Sequence, residues 1–117
     1  EIYMYKLLKE AGIDFQYEEE VFDLLPEIHL ENVMFTKKGM GAFKDNGGKV
    51  RKMYYTPDFT NEHFILEVKG RESQSFPLRW KLFLNLMHNT NDKRAIYKPT
   101  NKADCQLVVA DILKRFY

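Results

Sequence analysis

Three side chains of the right kinds for metal-assisted chemistry stand close together in the chain. Tyr55-Thr56-Pro57-Asp58-Phe59 is followed, nine residues after the aspartate, by Glu67 within the run Ile65-Leu66-Glu67-Val68-Lys69-Gly70. The segment from Phe64 to Lys69 is apolar and β-branched enough to form a strand. Alternation then puts Ile65, Glu67 and Lys69 on one face and Phe64, Leu66 and Val68 on the other. Pro57 has no N–H and disfavours continuation of a ladder, so Asp58 is expected at a strand end or bend beside that strand, within reach of Glu67. Two carboxylates and an ammonium therefore converge. The chemistry that wants this set is phosphodiester hydrolysis. Asp58 and Glu67 would hold Mg²⁺ or Mn²⁺, which acidifies a water and neutralises the charge developing on phosphorus, and Lys69 would hold that water or pair with the phosphate. A bare Glu-x-Lys would read as a surface ion pair on an edge strand; the upstream Pro-Asp and the following Gly70 favour a site.

The elements that must position these residues can be read in order. Met4, Leu7, Leu8 and Ala11 recur at i, i+3, i+4, i+7, which predicts an amphipathic helix over residues 1–11 closed by Gly12, with Glu1 on its buried stripe. Ile13 to Phe22 alternates as a strand with Phe15 and Tyr17 on one face, and Glu18-Glu19-Glu20 reads as its solvated end or an edge guard rather than a metal site. Residues 23–35 are broken by Pro26 and lead into a short strand at Asn32–Thr36. Met40 to Lys44 and Val50 to Tyr55 flank Asp45-Asn46-Gly47-Gly48, a hairpin signal. Asn61-Glu62-His63 turns into the strand of Glu67. Pro77 can open a helix over 77–89 whose stripe is Trp80, Phe83, Leu84 and Met87. Asn89-Thr90-Asn91-Asp92 ends that helix, Arg94 to Lys98 is a short strand, and Ala103 to Phe116 is the last helix, with Cys105 in its apolar stripe as plain core. The order α-β-β-β-β-α-β-α describes an α/β fold, a mixed β-sheet flanked by helices.

At 117 residues and 14.0 kDa the chain is expected to form one domain, residues 1–117, and a sequence opening on Glu1 is expected to lack residues upstream. No stretch approaches a membrane span, and a cytoplasmic protein is expected. The net charge of +1 conceals a division: residues 1–31 hold nine acids against Lys6 and Lys9, and the remainder holds sixteen bases against eight acids. Lys49, Arg51 and Lys52 before Asp58, and Arg71, Arg79 and Lys81 after Lys69, are the candidate DNA contacts. His29, His63 and His88 lack mutual ligand spacing and read as surface or capping residues; His63, which follows Asp58 closely, is the one to watch.

Pro57-Asp58 followed by Glu67-Val68-Lys69 resembles the PD-(D/E)xK nuclease superfamily. Within it, the order of a first helix, an aromatic-acidic strand, Tyr-Thr-Pro-Asp-Phe and Glu-x-Lys-Gly is similar to phage endonuclease I-type Holliday-junction resolvases and to small phage proteins of unassigned function, which share Leu24-Leu25-Pro26 and the segment Phe76 to Phe83. The resemblance covers most of residues 1–98. It implies a restriction-endonuclease-like core and a Mg²⁺-dependent endonuclease, with Mn²⁺ able to substitute. Metal would be held by Asp58, Glu67, the Val68 carbonyl and Glu1, and Lys69 would position the water. Glu1 takes its role of third ligand or base from the superfamily's first-helix glutamate; Glu10, next to the helix end, is the weaker substitute. The implied substrate is branched DNA in phage recombination, cut by a homodimer because a four-way junction needs two symmetric cuts. Leu82, Leu86 and Met87, added to Trp80, Phe83 and Leu84, give the second helix more apolar surface than one sheet face needs, and are the expected partner surface. Alternatives within the class are a nicking or restriction-like enzyme and a transposase-associated endonuclease. Outside it stands a DNA-binding module without catalysis.

Overall fold

A computed structural model describes residues 1–31, 34–36, 43–45, 49–71 and 73–117. The elements are α1 (Ile2–Glu10), β1 (Gln16–Tyr17), β2 (Phe22–Leu25), β3 (Ile28–His29), β4 (Met34–Thr36), β5 (Phe43–Asp45), β6 (Lys49–Val50), β7 (Met53–Tyr55), β8 (Phe59–Thr60), β9 (Phe64–Leu66), α2 (Phe76–Asn89), β10 (Ala95–Tyr97) and α3 (Lys102–Phe116). The fold is mixed α/β. The chain groups into two compact units, residues 1–22 with 55–117, and residues 23–54.

The first unit is organised by a four-stranded sheet in the order β1-β8-β9-β10. β1 with β8 and β8 with β9 are antiparallel; β9 with β10 is parallel. Phe59, Phe64 and Leu66 on one face join Met4 and Leu8 of α1, Cys105, Val108 and Ile112 of α3, and Ile13 in a buried core. Met4, Leu8 and Ile112 are completely buried, each contributing about 1.5–3 kcal/mol of apolar burial. Gly12, at φ +71°, lets the chain turn out of α1. Val68 leans on the same core, so Ile65 and Glu67 face the other way, as the alternation requires. On that side Tyr55 packs against Phe83 and Trp80 of α2.

Several expectations change. The strand expected over Ile13–Phe22 is divided into β1 at Gln16–Tyr17 and the start of β2 at Phe22, because Glu18 turns left-handed at φ 50° and breaks the extended run. Residues 23–31, expected to be irregular, hold most of β2 and all of β3, whereas the short strand expected at Asn32–Thr36 is present as β4 at Met34–Thr36, residues 32–33 lying outside the described residues. Residues 40–42 and 46–48 of the expected hairpin lie outside the described residues, and among those described its two flanking segments pair elsewhere. Lys44 lies opposite Phe35, and Lys49 and Val50 lie opposite His29 and Ile28. With β2 paired to β7, the second unit is a set of two-stranded pairs, β2-β7, β3-β6 and β4-β5, a nested order that antiparallel backtracking of one segment on the other produces. In α2, Phe83 and Met87 are buried, Leu82 and Leu86 half-buried, and Leu84 40% exposed. Met87 is therefore core, and the surplus apolar face expected of Leu82, Leu86 and Met87 is largely consumed within the chain.

Candidate metal centre

The registers of three strands build the site. Phe59 lies opposite Leu66 and Thr60 opposite Ile65, so one further step sets Asp58 opposite Glu67. Tyr17 lies opposite Phe59 and Gln16 opposite Thr60, so one step beyond β1 sets Glu18 opposite Asp58, and the Glu18 N–H donates to the Asp58 carbonyl at 2.9 Å. Glu18, Asp58 and Glu67 therefore form a row across the ends of β1, β8 and β9. The tight connection that fixes the second register is held by Asn61, whose Oδ1 accepts from the N–H groups of His63 (2.7 Å) and Phe64 (3.0 Å). Beyond β9 the parallel bonding continues: Glu67 N–H donates to Tyr97 O at 2.9 Å and Lys69 N–H to Pro99 O at 3.0 Å. The register of β10 then brings Lys98 alongside Glu67.

Glu1 reaches the row from the N-cap of α1. The helix places it exposed rather than on the buried stripe, and Tyr17 donates to its Oε1 at 2.5 Å. One oxygen each of Glu1, Glu18 and Asp58 lie within 4.8 Å of one another, an acidic cluster that could hold a metal ion. Asp58 is 9% and Glu67 5% exposed. Val68 enters the site through its N–H, which donates to Asp58 Oδ2 at 2.9 Å. The Tyr55 hydroxyl donates to Glu67 Oε1, in a pair buried from solvent.

The electrostatics follow from this packing. Burial, more than any other cause, raises the Asp58 carboxyl above its ordinary range, while the Val68 N–H opposes the rise. Burial also pushes Glu67 up to about 7, opposed by the Tyr55 hydrogen bond and reinforced by Asp58. Glu1 is lowered, first by the Tyr17 hydroxyl, and Glu18 is raised, first by its bond with Glu1. Lys69 favours the ionised forms of Glu1, Asp58 and Glu67, and its ammonium sits 4.6 Å from the centre of the Phe76 ring. Lys98 shares that ring at 5.6 Å and Trp80 at the same distance. No family model, curated protein or solved structure matches the chain.

The four residues singled out from sequence, Glu1, Asp58, Glu67 and Lys69, are thus brought into one neighbourhood. Glu18 was read as a solvated edge guard and belongs with them. Glu20 of the same run does serve structure: its carboxylate holds Arg94 at 2.7 Å, with Asp92 on the other side at 2.8 Å. In the sequence Tyr17 is a strand aromatic and Tyr55 opens the Tyr-Thr-Pro-Asp-Phe run, neither with a role of its own in the site. The signal that could have found Glu18 is its position next to an aromatic that faces the first-helix glutamate; nothing in the sequence fixes the left-handed turn. His63 stacks on Phe116 at 4.8 Å and pairs with Glu62 at 3.3 Å, so its environment is the end of α3 and not Asp58.

The candidate DNA contacts fall on both units. On the second, Lys49, Arg51 and Lys52 are exposed and, with Glu27 and Tyr54, line a surface pocket of about 550 Å³; Lys49 pairs with Glu27 at 3.5 Å. On the first, Arg71 and Lys81 are exposed and Arg79 is half-buried. Among the described residues no helix is long and apolar enough to cross a membrane.

Proposed function

We propose that this chain is a divalent-cation-dependent endodeoxyribonuclease of the PD-(D/E)xK type, with a restriction-endonuclease-like core, acting on branched DNA as a homodimer. The observation that carries the reading is the row of Glu18, Asp58 and Glu67 across three strand ends, with Lys69 on the same strand face as Glu67. Two of these carboxylates are buried with their ionised forms disfavoured, a costly arrangement unless a cation meets them. The donors are all oxygens, the set that suits Mg²⁺ or Mn²⁺ rather than zinc. A bound cation would stabilise charge on a phosphoryl oxygen and lower the pKa of an attacking water. Asp58 is held for that task by the Val68 N–H and Glu67 by Tyr55. Lys69 orients the water or a phosphate oxygen from the side of Phe76. Exposed Lys49, Arg51, Lys52, Arg71 and Lys81, with Arg79, supply phosphate contacts. The preference for branched DNA and the homodimer rest on the resemblance to junction resolvases, since one site per chain needs a second copy for two symmetric cuts.

Nicking of supercoiled plasmid during a Mg²⁺ titration tests the reaction, with a four-way junction and a linear duplex of the same sequence in competition and light scattering for the copy number. The expected result is Mg²⁺-dependent cleavage, preferential on the junction, by a dimer. Binding without cleavage at any Mg²⁺ or Mn²⁺ concentration would leave a DNA-binding module. A monomer cutting both substrates equally would keep the nuclease and remove the resolvase.

A further inference from the structure

We infer that Tyr55 is a positioning residue for Glu67, holding one carboxylate oxygen so that the other is presented to a divalent cation. The inference rests on the metal-site reading above and extends it to a residue other than the Pro-Asp and Glu-x-Lys side chains. Tyr55 stands at the end of β7, 5% exposed, and its hydroxyl donates to Glu67 Oε1. A phenol has two soft torsions, and here both are fixed by packing: the ring lies 4.8 Å from Phe83 and meets Trp80 edge-on at 6.1 Å. The phenol has one proton to donate, and it goes to Glu67 Oε1. Its acceptor is then constrained. With one acceptor site of Oε1 taken by the phenol, Oε2 is the freer oxygen for a cation, which favours one-point ligation over a symmetric grip. Hydrogen-bond partners of ligating carboxylates fix ligand orientation in this way, and losing one typically weakens metal affinity by about 10–100-fold.

The same role is not open to the neighbouring aromatics. Tyr54, the next residue along, lies in the other unit and is half exposed, and Tyr17 serves Glu1. The Tyr17 and Tyr97 hydroxyls donate to Glu1 and Asp111, whereas that of Tyr55 donates to Glu67.

Mn²⁺ binding by calorimetry on the full chain, in a double-mutant cycle of Tyr55→Phe and Glu67→Gln, tests this without requiring cleavage. Tyr55→Phe keeps the ring and is expected to weaken Mn²⁺ binding about 10–100-fold. In the Glu67→Gln background the same change is expected to cost little more, because its effect runs through the carboxylate. Glu67→Asp, which draws the carboxylate back from the phenol by one methylene, supplies an independent route to a similar loss should Tyr55→Phe fail to fold. Unchanged Mn²⁺ affinity in Tyr55→Phe, or a loss that adds in full to that of Glu67→Gln, would overturn the inference. The two failures are separable: wild-type protein that binds Mn²⁺ through this pair but never cuts DNA removes the nuclease and leaves Tyr55 in its role. Wild-type protein that binds no Mn²⁺ removes both.

Discussion

The acidic site has a buried side and an exposed side, and they are built by different means. Asp58 and Glu67 are buried, delivered by the register of adjacent antiparallel strands, and their protonated forms are favoured by desolvation. Glu1 and Glu18 are exposed, delivered by a helix N-cap and a left-handed turn, and each is influenced most by a hydrogen-bonded neighbour. Solvent screens the outer pair, whereas the inner pair bears most of the desolvation penalty. A cation should therefore gain most from Asp58 and Glu67, with Glu1 and Glu18 completing its shell.

The largest expected effect breaks or supports that division directly. Asp58→Asn and Glu67→Gln should each reduce cleavage by more than the roughly 100-fold that follows loss of a ligand's hydrogen-bond partner. Glu1→Gln and Glu18→Gln should each cost about 10-fold, and saturating Mn²⁺ should recover part of it. Single-turnover rates across a Mn²⁺ series decide the point. If the outer substitutions cost as much as the inner ones, the two sides are one shell and the comparison fails.

The same division governs what could be read in the sequence. Asp58, Glu67 and Lys69 were legible because local rules place them: a proline ends a ladder, alternation sets Glu67 and Lys69 on one face, and a short turn at Asn61 returns the chain. The helices were legible for a similar reason, since α1, α2 and α3 each follow from periodic apolar residues. Helix register puts Glu1 on the buried stripe and a family pattern gives it its role, and the structure puts it on the exposed cap instead. Glu18 was hidden because its position depends on a backbone angle that Glu rarely adopts and on pairing with a strand forty residues away. The pairings of the second unit were hidden too. The Asp45-Asn46-Gly47-Gly48 signal predicted contact between neighbouring segments, while the observed partners are set by longer-range matching of strands such as β3 with β6.

Burial of Glu67 has a consequence for stability that the exposed side lacks. Its folded pKa of about 7 lies above the ordinary 4.5, so the native state holds a proton that the unfolded chain has released between those values. Stability is then fully present below about pH 4.5 and falls as pH rises towards 7, a loss on the order of 3 kcal/mol, with Asp58 shifted in the same direction. Glu67→Gln removes the titrating group, so its unfolding midpoint should exceed that of wild type at pH 8 and match it near pH 4. Urea melts at the two pH values, without divalent cations, measure this. A wild type whose stability rises across that window would show that Glu67 is ionised and satisfied in the fold.

The smallest effect sharpens the account of the exposed side. Glu18 occupies the left-handed region at φ 50°, which costs a residue with a side chain about 1–2 kcal/mol. Glycine avoids that strain but gives the unfolded chain extra freedom, offsetting about 0.5–1 kcal/mol. Glu18→Gly should therefore be more stable than wild type by about 1 kcal/mol or slightly less, a shift of a few degrees in Tm for a chain of this length. It should also bind Mn²⁺ more weakly, because a carboxylate of the cluster has gone. Glu18→Gln separates the two causes: it keeps the strained backbone and loses the charge, so its Tm should stay near that of wild type while its Mn²⁺ affinity falls with that of the glycine variant. Scanning calorimetry and Mn²⁺ titration on the same samples give both readouts. A stabilised glycine variant that binds Mn²⁺ as tightly as wild type would mean that the left-handed turn serves the chain path alone. A destabilised one would mean that the Glu18 side chain supports the fold through its contacts with Glu1. Stability gained together with affinity lost is the signature of a backbone held in strain to bring a carboxylate to the site.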